Sequence, residues 1–302
     1  MTGRRKAMDT AMRQTTCWIC GSNDSVMERS SGIEGSVTSR DFAITDHRYG
    51  VTGSLFRCRN CGFVQCSDAD DVLQYYVELE DPAYEEGRDQ RALQAHHLLQ
   101  ILHRYAPAGR LLDIGAGSGI LVEQAIALGY EAEGVEPSVW LQQKAKERGL
   151  KVHLGTYPHE GVLPGFSAVA LVDVIEHVPN PVNLLVQTAK DMADDGVGII
   201  VTPDVDSVIA RIMGRKWWHY RIAHIGYFSR KTLLLSLEKA GLTPVELGRP
   251  RWYFSLDYVV QRLNIYLPKV LQIPVMQFMR GVTIRLNFFD SLYVIFKKRP
   301  PK

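Results

Sequence analysis

The stretch "LVDVIEHVPNP", residues 171–181, sets two carboxylates and an imidazole, Asp173, Glu176 and His177, at the end of an apolar run. If a strand ends near Asp173 and a helical turn follows, positions i, i+3 and i+4 share one face and the three groups converge. Three kinds of chemistry fit. His177, with an ordinary pKa near neutrality, suits a general base toward an acceptor hydroxyl or activated carbon. The acid–acid–imidazole set also suits a divalent ion such as Mg2+. In the third reading the residues only shape a loop beside a ligand. Glu176 and His177 are therefore catalytic candidates, with His224 as a further one, and the surrounding fold has to decide.

A second constellation is made of sulfur. "CWICG" (17–21) and "CRNCG" (58–62) repeat one C-x-x-C-G pattern, and all five cysteines lie at or before Cys66. Two thiolates two residues apart grip one tetrahedral ion, and the following glycine permits the tight turn beneath them. Cys17, Cys20, Cys58 and Cys61 make a closed, structural Zn2+ site, since four sulfurs leave no position for water. Such clustering fits an intracellular metal site better than a disulfide framework. Cys66 stands apart as a buried thiol. Short alternating runs between the pairs suit ribbon strands, so residues 1–66 read as a zinc-ribbon module. Arg57 and Arg59 supply no dense basic patch, which argues against a nucleic-acid partner.

The elements that position these groups are clearest in "RLLDIGAGSGILVEQAIALGYEAEGVEPS", residues 110–138. Leu111 to Ile114 form a short apolar strand, Ile120 to Leu128 an amphipathic helix, and Glu131 to Val135 a second strand. Between the first two, Gly115, Gly117 and Gly119 allow a backbone to approach a ligand closely. Glu136 follows Gly115 by 21 residues, where an acid at the second strand's end accepts both ribose hydroxyl protons of a nucleoside.

The pattern D-I-G-A-G-S-G resembles motif I of class I S-adenosylmethionine-dependent methyltransferases. The resemblance implies that Asp113, Gly115 and Gly117 line the cofactor and Glu136 binds the ribose, with Gly119 counted among the cofactor-binding glycines. Later segments follow the same family order: "KVHLGTY" (151–157) as third strand, "FSAVALVDVIEHVPNP" as fourth strand and loop, and "MADDGVGIIVTPDVDS" (192–207) around the fifth. "HIGYFSRKTLLLSLEKAGLTPVEL" (224–247) leads into the penultimate strand, and "DSLYVIFKKR" (290–299) is the last, antiparallel one. The implied fold is α/β: a Rossmann-like seven-stranded methyltransferase sheet, with an N-terminal zinc-ribbon module and a helical insertion before the last strand. Residues 67–302 form the methyltransferase domain, with a cap at about 249–287. With its paired knuckles the chain resembles a zinc-ribbon subgroup that acts on sugars and related small molecules.

The resemblance places Asp173 beside the methyl donor. D-x-x-E-H is also similar to the E-x-x-E-H of metal-dependent quinone-biosynthesis O-methyltransferases, which leaves Mg2+ open. The expected acceptor is a small molecule, a nucleotide- or lipid-linked sugar first and a quinone-like or phenolic acceptor second. RNA methylation finds no N-P-P-Y loop and no catalytic cysteine beyond residue 66. Trp217, Trp218 and Tyr220 of "WWHY" suit stacking on a flat acceptor or core packing alike.

At 302 residues, 46% hydrophobic and 23% charged, the chain suits one folded α/β domain with a small appendage. The net charge of +2 is unevenly spread. From Arg249 to Lys302 ten Lys or Arg face only Asp257 and Asp290, which suggests an anionic partner, including peripheral contact with a lipid surface, or simply solvated faces. The basic N-terminus precedes a polar stretch and reads as no signal peptide, giving a cytoplasmic expectation. Apolar residues Leu256, Val259, Val260, Leu263 and Leu267 recur at helical spacing before Pro268.

Overall fold

The computed structural model describes residues 16–46, 48–67 and 72–299; the N-terminal stretch read above for a signal peptide lies outside them. Strands β1 (Ser25–Arg29), β2 (Leu55–Cys58) and β3 (Val64–Cys66) pair antiparallel as a ribbon above the cysteine pairs. Helices α1 (Leu73–Val77) and α2 (Pro82–Glu86) lead into α3 (Arg88–His103). Asp81 starts α2 by accepting the Tyr84 N–H, and Pro82 occupies a first-turn position where no donor is needed.

The central layer then builds in alternation: β4 (Arg110–Ile114), α4 (Ile120–Ala127), β5 (Glu131–Glu136), α5 (Val139–Glu147) and β6 (Val152–Leu154). The chain returns through β7 (Phe166–Val172), α6 (Pro181–Asp191) and β8 (Met192–Pro203). After α7 (Val208–Met213) and the short β9 (Gly226–Tyr227) come α8 (Arg230–Lys239) and β10 (Leu242–Gly248). The insertion holds β11 (Trp252–Ser255), α9 (Leu256–Tyr266) and β12 (Thr283–Leu286), and β13 (Ser291–Lys298) closes the sheet.

The seven strands run β10-β13-β8-β7-β4-β5-β6. Pairings from β6 to β8 are parallel, and β13 inserts antiparallel between β8 and β10. The order reverses between β4 and β7, so their carboxyl ends diverge and leave a crevice, the usual ligand position in an open α/β sheet. Strand alternation sorts the core. Ala168 and Ala170 of β7 face Leu98, Leu102 and Val122 of α3 and α4, whereas Val169 and Leu171 face Leu185, Leu233 and Leu237 of α6 and α8.

The third strand is shorter than the run 151–157 suggests: β6 stops at Leu154, and Gly155 takes a left-handed φ of 141° as its N–H turns to the Glu136 carbonyl. The insertion is less helical than expected, because β11 and β12 form a two-stranded hairpin around α9. A third finding has no sequence signal: β3 pairs with β9, so the ribbon sheet borrows a strand from far along the chain.

Candidate active site

A cleft of about 1770 Å³ opens at the carboxyl ends of β4, β5 and β7. Pockets for one small ligand are typically about 300–1,000 Å³, so this volume suits a donor and an acceptor side by side. Gly115 and Ala116 both donate N–H to the Val135 carbonyl, which folds the bend back against β5. Gly115 has φ 75° and lies open to the cleft; Gly117 has φ 55° and packs under Tyr84, whose hydroxyl is 2.9 Å from where a Cβ would stand. Gly119 departs from the expectation of cofactor contact. It does not line the cleft, and its missing Cβ makes room for Leu150, so it serves helix–sheet packing.

Glu136 is buried, and both its oxygens are used: Oε2 accepts the Gly117 N–H and Oε1 the Ser138 N–H, each at 2.8 Å. Ser138 caps α5 through the Leu141 N–H. Burial pushes the Glu136 carboxyl up to about 7, against those two N–H donors, which favour the ionised form. Burial and the neighbouring Glu136 charge raise Asp113 well above the usual carboxylate range. A cationic ligand relieves this crowding of acids, and S-adenosylmethionine carries both a sulfonium and an ammonium. The donor set therefore fits that cofactor.

At the end of β7, Asp173 takes φ 52°, a strained left-handed value for a residue with a side chain. A short 3-10 turn, Ile175–His177, follows it. The expected convergence of Asp173 with Glu176 and His177 is not what forms. The side-chain ligand atoms within 4.8 Å of one another belong to Glu176, His177 and His224. Asp173 faces the cleft, where enclosure raises its carboxyl while the nearby His219 and Arg91 oppose the rise. The difference follows from the backbone: Asp173 is left-handed and lies outside the short turn, which spans only Ile175–His177, so no common helical face relates it to Glu176 and His177.

Within the cluster, His177 Nδ1 lies 2.8 Å from the Ala223 carbonyl oxygen and 2.7 Å from the Tyr76 hydroxyl. A carbonyl oxygen at that distance needs a proton on Nδ1, so these partners assign the lone pair to Nε2. Tyr76 in turn donates to the same carbonyl at 3.3 Å. Burial lowers the His177 pKa to about 4, despite the Ala223 bond, so the ring is neutral near pH 7. Glu176 accepts from Thr202 Oγ1 through Oε2, while its buried Oε1 has no partner; burial and the Asp173 charge hold its carboxyl well up. His224, 6% exposed, leaves Nδ1 unpartnered and sets its ring edge-on to His177 at 4.7 Å.

The ribbon holds this cluster in place. The Ile225 N–H donates to the Glu176 carbonyl, the Cys66 N–H donates to the Ile225 carbonyl, and Phe63 packs on Phe228 at 5.0 Å. The strand next to His224 is thus clamped between the Glu176 turn and β3. Of the aromatic run, Trp217 and Tyr220 are core residues, whereas Trp218 and His219 line the cleft. Tyr76 and the α9 residue Tyr258, neither given a site role from the sequence, line it too. The two tyrosines are placed by long-range packing that leaves no local motif.

The four thiols Cys17, Cys20, Cys58 and Cys61 have sulfurs within 4.8 Å of one another, with closest pairs Cys17–Cys61 and Cys20–Cys58 at 3.5 Å. Tetrahedral Zn–S bonds of about 2.3 Å put sulfurs slightly under 4 Å apart, so the set fits a zinc ion. Gly21 and Gly62 hold left-handed φ values of 74° and 90° beneath the pairs, as tight knuckles require.

A sheet of this order, with a glycine bend tied to a buried acid at the end of the next strand, is that of the class I S-adenosylmethionine-dependent methyltransferases. The chain belongs to the methyltransferase-domain family, whose profile matches residues 84–247, more than half its length. Among curated relatives, a ubiquinone biosynthesis O-methyltransferase of Rhodopseudomonas palustris is 29% identical over 123 residues, 39% of this chain and 45% of the relative. One from Burkholderia thailandensis is 30% identical over 95 residues, 29% of this chain and 41% of the relative. The matches thus span less than half of these relatives. Among solved structures, an S-adenosylmethionine-dependent methyltransferase of Archaeoglobus fulgidus aligns with TM-score 0.51 and 18% identity, over 72% of this chain and all of that one. At that identity the likeness is one of fold.

Proposed function

We propose that the chain transfers a methyl group from S-adenosylmethionine to a hydroxyl of an aromatic small molecule, with His177 as general base. The observation that carries the reading is the bond from His177 Nδ1 to the Ala223 carbonyl, which leaves Nε2 as the unprotonated nitrogen of a ring that lines the cleft. When bound, the cofactor supplies a methyl group on a positively charged sulfur, an activated donor that needs alignment and the loss of one proton from the acceptor. Asp113, Gly115 and Glu136 hold and orient it, Nε2 takes the acceptor's proton, and the unpartnered Glu176 Oε1 and His224 Nδ1 orient the acceptor's polar edge.

The acceptor class follows from the proton to be removed. Burial weakens His177 as a base, and a phenol's pKa of about 10 lies well below that of an alcohol-like hydroxyl. The phenolic proton is far easier to remove, which favours a phenolic acceptor over the sugar expected from the resemblance. The aromatic faces of Trp218, Tyr258 and Phe288 suit a flat ring. The relatives named as ubiquinone biosynthesis O-methyltransferases support the same choice.

A metal-assisted form of the reaction is a second reading, supported by the Glu176, His177 and His224 set and its two unpartnered atoms. Two imidazoles and one carboxylate suit a transition metal better than Mg2+, which takes oxygen ligands. In the N-terminal module, Cys17, Cys20, Cys58 and Cys61 hold structural zinc. The zinc-ribbon module gives way to the methyltransferase domain at residues 66/67.

The experiment is incubation of the full chain with labelled S-adenosylmethionine against catechols, simple phenols and nucleotide sugars. Label in the phenolic set that is lost in His177→Ala supports the reading. Label only in sugars rejects it, and activity abolished by a chelator and restored by a divalent metal, with zinc still bound, selects the metal-assisted form.

A further inference from the structure

The insertion has two faces with opposite characters. Its inner face walls the cleft through Tyr258, Arg262, Leu263, Tyr266, Arg280 and Phe288. Its outer edge is apolar and bare: every residue from Pro268 to Phe278 is exposed, with Val270 at 91%, Leu271 at 62% and Phe278 at 63%. Isolated exposed apolar side chains are ordinary, but a contiguous run in the segment that walls a binding cleft marks a contact surface.

The charge in the same segment narrows the occupant. Between Asp257 and Asp290 there is no acidic residue; Arg262 turns to the Thr45 carbonyl and Arg280 pairs with Asp257 on the cleft side, which leaves the exposed Lys269 and Arg285 among the apolar residues. The Tyr266 hydroxyl donates to the Lys216 carbonyl, which ties the end of α9 to an exposed Arg215–Lys216 pair. A second copy of this chain placed symmetrically on the patch would set cations against cations with no acid to answer them. An anionic bilayer meets both demands at once, accepting the apolar tips below the headgroups and the cations among the phosphates.

We infer that the segment 256–289 docks the protein on an anionic lipid surface and feeds the cleft with an acceptor dissolved in that bilayer. Because the apolar edge and the cleft wall are two sides of one short segment, docking brings the cleft mouth to the headgroup layer. The inference rests on the O-methylation reading for the nature of the acceptor, while the docking itself does not depend on catalysis. Among the described residues no helix is long and apolar enough to cross a membrane, which fits contact from one side.

The test is flotation of the full chain with phosphatidylcholine vesicles and with phosphatidylcholine–phosphatidylglycerol vesicles, at low and high salt. Binding should favour the anionic vesicles by about tenfold or more and weaken with salt. The double variant Val270→Glu/Leu271→Glu should lose about tenfold in vesicle binding, with melting temperature and S-adenosylhomocysteine affinity unchanged. Absence of flotation with anionic vesicles overturns the inference, as does equal binding by the double variant. So does a lipid-free dimer, dispersed by the same substitutions, in a protein that binds no vesicles. Methylation of a water-soluble phenol is read separately, so a failure of docking and a failure of the proposed reaction stay distinguishable.

Discussion

Glu136 and Gly117 are joined by a 2.8 Å hydrogen bond from the glycine N–H to the carboxylate Oε2, which ties the bend after β4 to the end of β5. The buried acid at the end of β5 thus also sets the shape of the turn. Its pKa, raised to about 7 by burial, makes cofactor binding sensitive to pH. The ionised form is the better acceptor, so affinity for S-adenosylhomocysteine should fall as pH drops through 7, by at most about tenfold per unit. Glu136→Gln should weaken binding by about 1.5–3 kcal/mol and remove that dependence. Calorimetry between pH 5.5 and 8.5 checks both, and a flat profile in the unmodified protein would contradict the assignment.

His177 carries a different pH signature. It is competent as a base only when neutral, and burial lowers its pKa to about 4, so its neutral fraction falls only as pH drops through that value. The acid limb assigned to this group should lie near 4 rather than near 6.5. His177→Ala should lower kcat by about 10²- to 10⁴-fold while S-adenosylhomocysteine affinity stays within about twofold. Comparable losses in both would make the residue part of the cofactor site.

The glycine bend and its flanking strand, helix and strand were legible because local chemistry dictates them: apolar runs end at glycines that only a tight turn explains. Observed bounds of 110–114, 120–127 and 131–136 follow the sequence pattern within a residue or so. The partnership of His177 was not legible. His224 lies 47 positions away, and what brings it in is the pairing of β9 with the ribbon strand β3, a contact written in no local period. Asp173 does not join Glu176 and His177 because its left-handed backbone sets it apart from the short turn that carries them. The aromatic run shows the same limit: Trp217 and Trp218 are neighbours, yet one is fully buried and the other faces the cleft.

The ribbon's pairing with β9 makes the cysteine site a support for the cleft. Cys58→Ser/Cys61→Ser should remove one equivalent of zinc per chain by elemental analysis, since two sulfurs alone do not hold the ion. With the ribbon loosened, the strand after His224 loses β3 on one side, whereas the glycine bend loses nothing. Turnover should therefore fall by about tenfold or more, while S-adenosylhomocysteine affinity stays within about threefold. An unchanged turnover in zinc-free protein would show that the ribbon has no part in placing His224.

The densest point of the sheet gives a test of packing alone. Gly198 of β8 stands directly opposite Phe296 of β13, and the phenylalanine ring fills the space a Cβ at position 198 would take. Both strands are fully buried there, so neither backbone has solvent to move into. Gly198→Ala should cost about 1–3 kcal/mol by overpacking and lower the melting temperature by several degrees. Phe296→Leu removes the clashing ring at the expense of a void, so each single change is destabilising for an opposite reason. Made together they fill one another's defect, and the double variant should melt higher than the sum of the single losses predicts, with a coupling of about 0.5–3 kcal/mol. Strict additivity in thermal melts would mean that the ring moves aside freely, and that glycine at 198 is not required by the width of the sheet at β13.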